Sequence, residues 1–326
     1  MSKALKKAEE KALSGIGLCH EDALRFSDIP EDRIFEILPY SDRIRRRFKG
    51  VEVNLCSIVN AKSGLCREDC SFCGQSIKYS TGINAYPMIE AEEIVSSALR
   101  AEKSGAREFS IVTSGTKIEK KSDVSTLKKA ISGIKETGRL ETCASLGIMK
   151  RETLEELKDA GLESYHHNLE TSRSFFPNVC TTHGYDEDVA TVRAAGELGL
   201  HVCSGGIFGL GEGWKDRVEL AGTLRDLDVD SVPINFLNPR PGTPLENARN
   251  LTPLECLKII ALFRFMLPSK DIIVCGGRDV NLRDMQSLIF AAGANGMMVG
   301  DYLTTKGRPP ADDLRMLEDL GLKPKA

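Results

Sequence analysis

Cys66, Cys70 and Cys73 lie in the run Leu65-Cys66-Arg67-Glu68-Asp69-Cys70-Ser71-Phe72-Cys73-Gly74, separated by three and then two residues. Such spacing lets one short loop wrap three thiolates around a single iron–sulfur cubane. A structural zinc site would want a fourth ligand from a paired second half, and the sequence offers no matching Cys or His pair nearby. Three ligands on a four-iron cluster leave one iron open, which is a vacancy for a small molecule.

Other residues with chemical capacity fall downstream. His166, Asn168 and Glu170 alternate, so on a strand they share one face, and neutral amide and carboxylate groups there suit hydroxyls and a urea. Gly205, Gly206, Gly209 and Gly211, with Ile207 between them, let the backbone approach a ligand closely. Cys56, Cys143, Cys203 and Cys275 each sit in a short apolar run. Cys19, Cys180 and Cys256 show no such pattern and are expected to be packing residues, Cys180 lying on a loop with no evident partner.

The elements that must position these groups are legible from periodicity. After Val51, short β-branched runs alternate with amphipathic helical stretches, the pattern of parallel βαβ units. Strands are predicted at roughly 51–58, 107–113, 139–145, 163–169, 200–207, 231–236, 271–275 and 295–299. Gly105, Gly138, Gly161, Gly199 and Gly293 each stand where a helix should stop, about three residues before the next run. Eight strands with alternating helices predict an α/β fold, a (β/α)8 TIM-type barrel over residues 48–326 as a single domain, with residues 1–47 as an N-terminal helical cap. Cys143, Cys203 and Cys275 then fall on strands three, five and seven and Cys56 on strand one, and alternate strands contribute one layer of a barrel interior. The three-cysteine loop follows strand one, at the C-terminal mouth.

The chain has 326 residues, 41% of them hydrophobic, and a formal net charge of -3. It is long enough for one large core, and its charge gives no footprint for nucleic acid or an anionic membrane surface. The first 18 residues lack the apolar core of a signal peptide and no run is long enough to span a bilayer, so a cytoplasmic protein with no membrane partner is expected. Ten cysteines in a reducing compartment point to metal binding or packing rather than disulfides.

The cysteine loop resembles that of the radical S-adenosylmethionine enzymes. Three further stretches, Tyr165–Thr171, Val202–Glu212 and Ser231–Leu237, extend the resemblance to the biotin synthase family over about Val51 to Gly300. The resemblance implies that Cys66, Cys70 and Cys73 hold a [4Fe–4S] cluster whose open iron is chelated by the amino and carboxylate groups of S-adenosyl-L-methionine. Reductive cleavage then gives methionine and a 5′-deoxyadenosyl radical, which serves sulfur insertion into dethiobiotin from an auxiliary cluster. It further implies that Asn168 and Glu170 reach the ribose, Asn168 also nearing the substrate, that Asn235 contacts the ureido group, and that Gly205, Gly206, Ile207 and Gly209 run along the adenosyl moiety. Thr113 and Ser114 resemble the region that binds the methionyl amine. His166 stands where the family carries Asn, and Asp188 where it carries an Arg for the methionyl carboxylate, with Arg193 as the candidate substitute. A flavodoxin or ferredoxin as electron donor and a homodimer are implied as well.

The departure from the family is concentrated at the second cluster. Its usual [2Fe–2S] site takes three cysteines and one arginine from strands two, three, five and seven, and here Ser110 and Ile273 replace one cysteine and the arginine. Cys275 lies two residues beyond Ile273 on the same face, and Cys56 is available as a fourth donor. A different, thiolate-ligated auxiliary cluster on Cys143, Cys203, Cys275 and Cys56 is the expectation, a four-iron cubane with an open iron being one form. The alternatives are a relative similar to methylornithine synthase or the [FeFe]-hydrogenase maturase, or a non-catalytic iron–sulfur carrier.

Overall fold

The computed structural model describes residues 2–325. Its strands are β1 Glu52–Lys62, β2 Glu108–Thr113, β3 Glu141–Ser145, β4 Ser164–His166, β5 His201–Cys203, β6 Gly206–Phe208, β7 Ser231–Phe236, β8 Asp271–Val274, β9 Gly296–Met298 and β10 Lys323–Pro324. Pairing runs β1-β2-β3-β4-β5-β7-β8-β9 with β1 also paired to β9, all in parallel, so the barrel is closed. β10 extends the sheet at the start of β1, where Glu52 faces Lys323.

β5 and β6 are two halves of one stave. The break has a steric cause: Pro233 of β7 has no N–H to give the ladder, and a Cβ at Gly205 would lie 2.0 Å from the Pro233 carbonyl oxygen. β4 is likewise shorter than the predicted 163–169. Past His166 the backbone stays beside its neighbour through the amides of His167 and Leu169, bonded to the carbonyls of Cys203 and Gly205, until Glu170 takes a positive φ of 61°.

The helix-stopping glycines work as the sequence predicts. Gly105, Gly138, Gly161, Gly199 and Gly293 all have positive φ, between 69° and 116°, and the next strand starts two or three residues later. Reversing a helix into a strand over so few residues demands a left-handed residue, which glycine adopts without a Cβ clash.

Helices Ser2–Leu13, His20–Ser27 and Ile34–Lys49 fill the N-terminal region. They explain why helix Pro253–Met266 is apolar on every side: it is buried from Cys256 through Met266 between the barrel and these helices. Phe26 packs on Phe265 with centroids 5.0 Å apart, and Lys258 Nζ donates to the Ser27 carbonyl at 2.6 Å. Among the described residues no helix is long and apolar enough to cross a membrane.

The C-terminal helix Pro310–Asp319 is tied to the barrel by a fully buried two-pronged ion pair, Arg278 Nη1 and Nη2 to Asp313 at 3.0 and 2.8 Å. Removing one partner strands the other charge in the interior, so Asp313→Ala is expected to lower stability by about 3–5 kcal/mol. Arg308→Ala, at the exposed rim of the same carboxylate, should cost about 1 kcal/mol or less. Denaturant unfolding of both variants checks this; equal, small losses would refute it.

Candidate active site

The cysteine loop leaves β1 through Leu65, a non-glycine residue at φ 56° that is exposed. The loop closes on itself: Cys66 N–H donates to the Gln75 carbonyl at 3.0 Å, Ile77 N–H to the Cys66 carbonyl at 2.8 Å, and Gly64 N–H to Gln75 Oε1 at 3.1 Å. All three thiols are half-buried. The Cys66 sulfur faces the backbone N–H groups of Glu68 and Gly115, and the Cys73 sulfur those of Gln75 and Ser76. Amides aimed at sulfur favour its anionic form, yet burial pushes Cys66 up and Cys73 up to about 11. A metal supplies the missing positive charge and deprotonates a coordinating thiol outright. These residues therefore fit an iron–sulfur cluster.

Cys180, expected to be without a partner, adjoins Cys70, and together with burial raises the Cys70 thiol. Its Sγ also lies 3.3 Å from both Asp69 Oδ1 and His183 Nδ1. The sequence gives no warning of this, because 110 residues separate loop and partner. His183 donates to Glu68 at 2.7 Å and faces Asp188 at 3.2 Å, and Asp188 is also 2.8 Å from His167. Hydrogen bonding to Asp188, then Cys180, raises His183 to about 11, making it a cation. Asp188 thus serves two histidines. Arg193 does not take over a role there: it is exposed on helix Tyr185–Glu197, away from the barrel interior, so its assignment to the methionyl carboxylate is corrected.

Inside the barrel, below the loop, lies a cavity of about 330 Å³. Cys73 and Phe72 meet it at the mouth, His166, Asn168, Glu170, Ile207 and Asn235 line its wall, and Cys56, Glu108, Ser110, Cys203, Ile273 and Cys275 line its deeper part. His166 Nε2 is 3.0 Å from Asn168 Oδ1, and Asn168 Nδ2 donates to Glu170 at 3.4 Å. Burial lowers His166 to about 4 and, with Asp188's charge, raises Glu170 to about 8. This stretch of the wall is consequently uncharged imidazole, amide and mostly protonated carboxyl at neutral pH, while Arg240 also lines the cavity. Asn235 uses one N–H on the Gly206 carbonyl (3.3 Å) and its oxygen on the Gly276 amide (2.9 Å), which leaves one N–H and one lone pair free.

Several residues sit elsewhere than the sequence suggests. Thr113 and Ser114 are buried beneath the cysteine loop rather than in the cavity wall, Ser114 Oγ bonding the Gly64 carbonyl at 2.7 Å. The room at Gly205 and Gly206 belongs to neighbouring backbone: a Cβ there would meet the Pro233 and Glu170 carbonyl oxygens at 2.0 and 2.5 Å. Their small size serves barrel closure. Gly209 has φ 97° and its loop is fixed by buried Glu212, which accepts from Gly209 and Leu210 amides and from Arg217 Nε at 2.8 Å.

The deep thiols fall into two groups. Cys56 and Cys275 adjoin each other and pack with Ile273 and Met298; that contact and burial drive Cys56 far up. Cys143, fully buried, and Cys203 flank Glu108, and burial plus its charge raise both. Ser110 Oγ faces the same space beside the Cys143 thiol. Four soft donors gathered in one part of the barrel suit a metal cluster. Glu108 escapes the sequence reading, although a carboxylate opening the apolar run Glu108–Thr113, in phase with Ser110, is its period-two signal.

A closed parallel barrel with a three-thiol loop at its C-terminal mouth defines the class: residues 62–224 match the model for the radical SAM superfamily. Residues 233–323 match the biotin and thiamin synthesis associated domain. Whole-chain relatives narrow this. The biotin synthase of Geotalea uraniireducens (strain Rf4) is 53% identical over 323 residues, 99% of this chain and 98% of that one, and that of Geobacter sulfurreducens is 55% identical over 282 residues, 86% of each. The chain belongs to the biotin synthase family. Among solved structures, methylornithine synthase superposes with TM-score 0.85 at 22% identity, covering 98% and 97% of the two chains. The [FeFe]-hydrogenase maturase from Carboxydothermus hydrogenoformans gives 0.82 at 18%, covering 99% and 80%. Both share the fold.

Glu212→Gln removes the charge on which two loop amides and Arg217 converge. It is expected to cost about 1–3 kcal/mol and to speed hydrogen exchange at Gly209 and Leu210 selectively; unchanged protection at those two amides would refute the anchoring role.

Proposed function

We propose that this chain is a radical S-adenosylmethionine sulfurtransferase that converts dethiobiotin to biotin. The observation that carries the reading is the single cavity, open at the mouth, that joins Cys73 there to Cys56, Cys203 and Cys275 in the depth. A substrate held between these two sets of donors faces a source of hydrogen abstraction on one side and a source of sulfur on the other. When bound, the [4Fe–4S] cluster with S-adenosylmethionine supplies the abstracting radical and the auxiliary cluster supplies sulfur.

The chain's own residues hold, orient and shield. Cys66, Cys70 and Cys73 are the ligands of the first cluster, and their amide-lined loop fixes it at the mouth. Asn168 and Glu170 hold the ribose hydroxyls, and the free N–H and lone pair of Asn235 take the ureido group, whose donors and acceptors match an amide. An uncharged stretch of wall suits a neutral urea and avoids desolvating a charge. The closed barrel keeps water from the reacting carbons. Ile207 and Gly209 would flank the adenosyl moiety, and Thr113 and Ser114, which support the cysteine loop from below, would help hold the methionyl amine.

The auxiliary cluster in this reading is thiolate-ligated by Cys143, Cys203, Cys275 and Cys56, and is of a four-iron type rather than the usual [2Fe–2S]. Residues 48–326 form the catalytic barrel and 1–47 its cap. A flavodoxin or ferredoxin delivers electrons, and the enzyme works as a cytoplasmic homodimer, a state that rests on family resemblance alone. Identity over the whole chain favours this function over the methylornithine synthase and maturase alternatives, whose likeness is one of fold, and the polar cavity wall disfavours a carrier.

Oxygen-free protein reconstituted with iron and sulfide, then reduced with S-adenosylmethionine and dethiobiotin, is expected to yield 5′-deoxyadenosine and biotin. Cys275→Ala should keep deoxyadenosine formation and lose biotin, and a Cys66/Cys70/Cys73→Ala triple variant should lose both products while retaining more iron than a two-iron site holds. Deoxyadenosine without biotin in the wild type would move the substrate to a relative's. Wild-type biotin yield from Cys275→Ala would overturn the auxiliary-cluster assignment.

A further inference from the structure

Glu108 is the one carboxylate in the deep part of the cavity, and nothing in the sulfur-insertion reading uses it. It is 6% exposed, and its side-chain partners are few: a long hydrogen bond from Asn54 Nδ2 to Oε2 at 3.4 Å and the Cys143 thiol. No Lys or Arg side chain among the described residues comes within ion-pair distance of it. His201, at the barrel floor, is half-exposed and is shared between Glu108, whose charge it feels without an ion-pair contact, and Asp230 at 4.0 Å. A buried carboxyl with so few partners either stays protonated or meets a cation.

Three thiols surround it. Cys143 adjoins its carboxylate, Cys203 lies close enough to feel its charge, and Cys56 stands at the opposing register position on β1. Glu108 lines the same cavity as Cys56, Cys203 and Cys275. Hard carboxylate oxygen is an ordinary donor for iron alongside softer thiolates.

From this geometry we infer that Glu108 is a direct oxygen ligand of the auxiliary cluster, which is therefore a mixed thiolate–carboxylate centre. The inference rests on the auxiliary-cluster reading above. An oxygen-bound iron differs from its thiolate-bound neighbours in charge and lability, and this sets one corner of the cluster apart. Five protein donors, Cys56, Cys143, Cys203, Cys275 and Glu108, exceed the four corners of a cubane, so Glu108 takes the corner for which Cys56 is the alternative donor, and Cys275 stays a ligand.

The test reads the cluster rather than turnover. Full-length protein labelled with glutamate carrying carbon-13 at its side-chain carboxyl is reconstituted anaerobically, reduced, and studied by electron–nuclear double resonance. A carbon-13 coupling to the auxiliary cluster that disappears in Glu108→Gln is the expected result, together with an upward shift of that cluster's midpoint potential, because an anionic ligand has been removed. No coupling in the wild type, or the same coupling in Glu108→Gln, overturns the assignment. The wild-type measurement does not depend on how well the variant folds. Iron analysis of the Cys66/Cys70/Cys73→Ala variant separates the two levels: no retained iron overturns the auxiliary cluster and Glu108's role together, whereas retained iron without a carbon-13 coupling overturns Glu108's role alone.

Discussion

β1 has to be paired on both sides for this site to exist. It is the longest strand, bonded to β2 along one edge and to β9 along the other, and it carries Cys56 inward before running directly into the cysteine loop. Were the β1–β9 edge open, Cys56, Met298 and Cys275 would face solvent instead of one another. Closure thus does two things through one ladder: it fixes the height of the mouth loop relative to the deep thiols, and it walls the space between them on every side but the mouth. In a parallel barrel the interior is normally packed solid with branched side chains. Here the layers thin to serine, cysteine and glycine at Ser110, Cys143, Cys203, Gly205 and Cys275, and the cavity occupies the volume that larger residues would have filled.

Charge balance explains why such an interior is tolerable. The mouth carries a cationic imidazole, His183, held by Glu68 and Asp188 and bonded to Cys180, so the carboxylates around the cysteine loop have a positive partner before any metal arrives. The depth has no equivalent. Burial pushes the Cys56, Cys143 and Cys203 thiols up, and Glu108 beside them has no Lys or Arg within ion-pair distance among the described residues. The polypeptide is self-compensated at one end and short of positive charge at the other, which is the asymmetry expected if the deep donors bind a group rather than pack.

Much of this was legible in the sequence, for identifiable reasons. Helix stops at Gly105, Gly138, Gly161, Gly199 and Gly293 are local signals, because the left-handed turn each makes depends on nothing distant. Cys66, Cys70 and Cys73 are bound together by one loop, so their spacing sufficed. Inward alternation of His166, Asn168 and Glu170 followed from strand period alone. What failed was whatever depended on contact across the barrel. The breaks in the fourth and fifth staves answer to Pro233 and the Glu170 backbone, and the glycines at 205 and 206 look like a ligand cradle until those carbonyls are seen beside them. Cys180 meets Cys70 only once the loop after β4 folds over the mouth, and Arg193 was a chemical substitution judged without knowing which way its helix faces.

Methylornithine synthase and the hydrogenase maturase share this barrel at about one-fifth identity, so the backbone alone cannot specify what the radical is used for. Specificity must be written in the few side chains that project into the cavity. Those along the wall from His166 to Glu170 are uncharged and suited to a urea, a property any small neutral substrate could exploit. Those in the depth are more restrictive, since a hydrogen abstraction needs no thiol at the barrel floor, still less four of them with a buried carboxylate. Under the proposed function, the feature that separates sulfur insertion from other radical chemistry on this fold is therefore the donor set around Glu108 rather than the shared mouth.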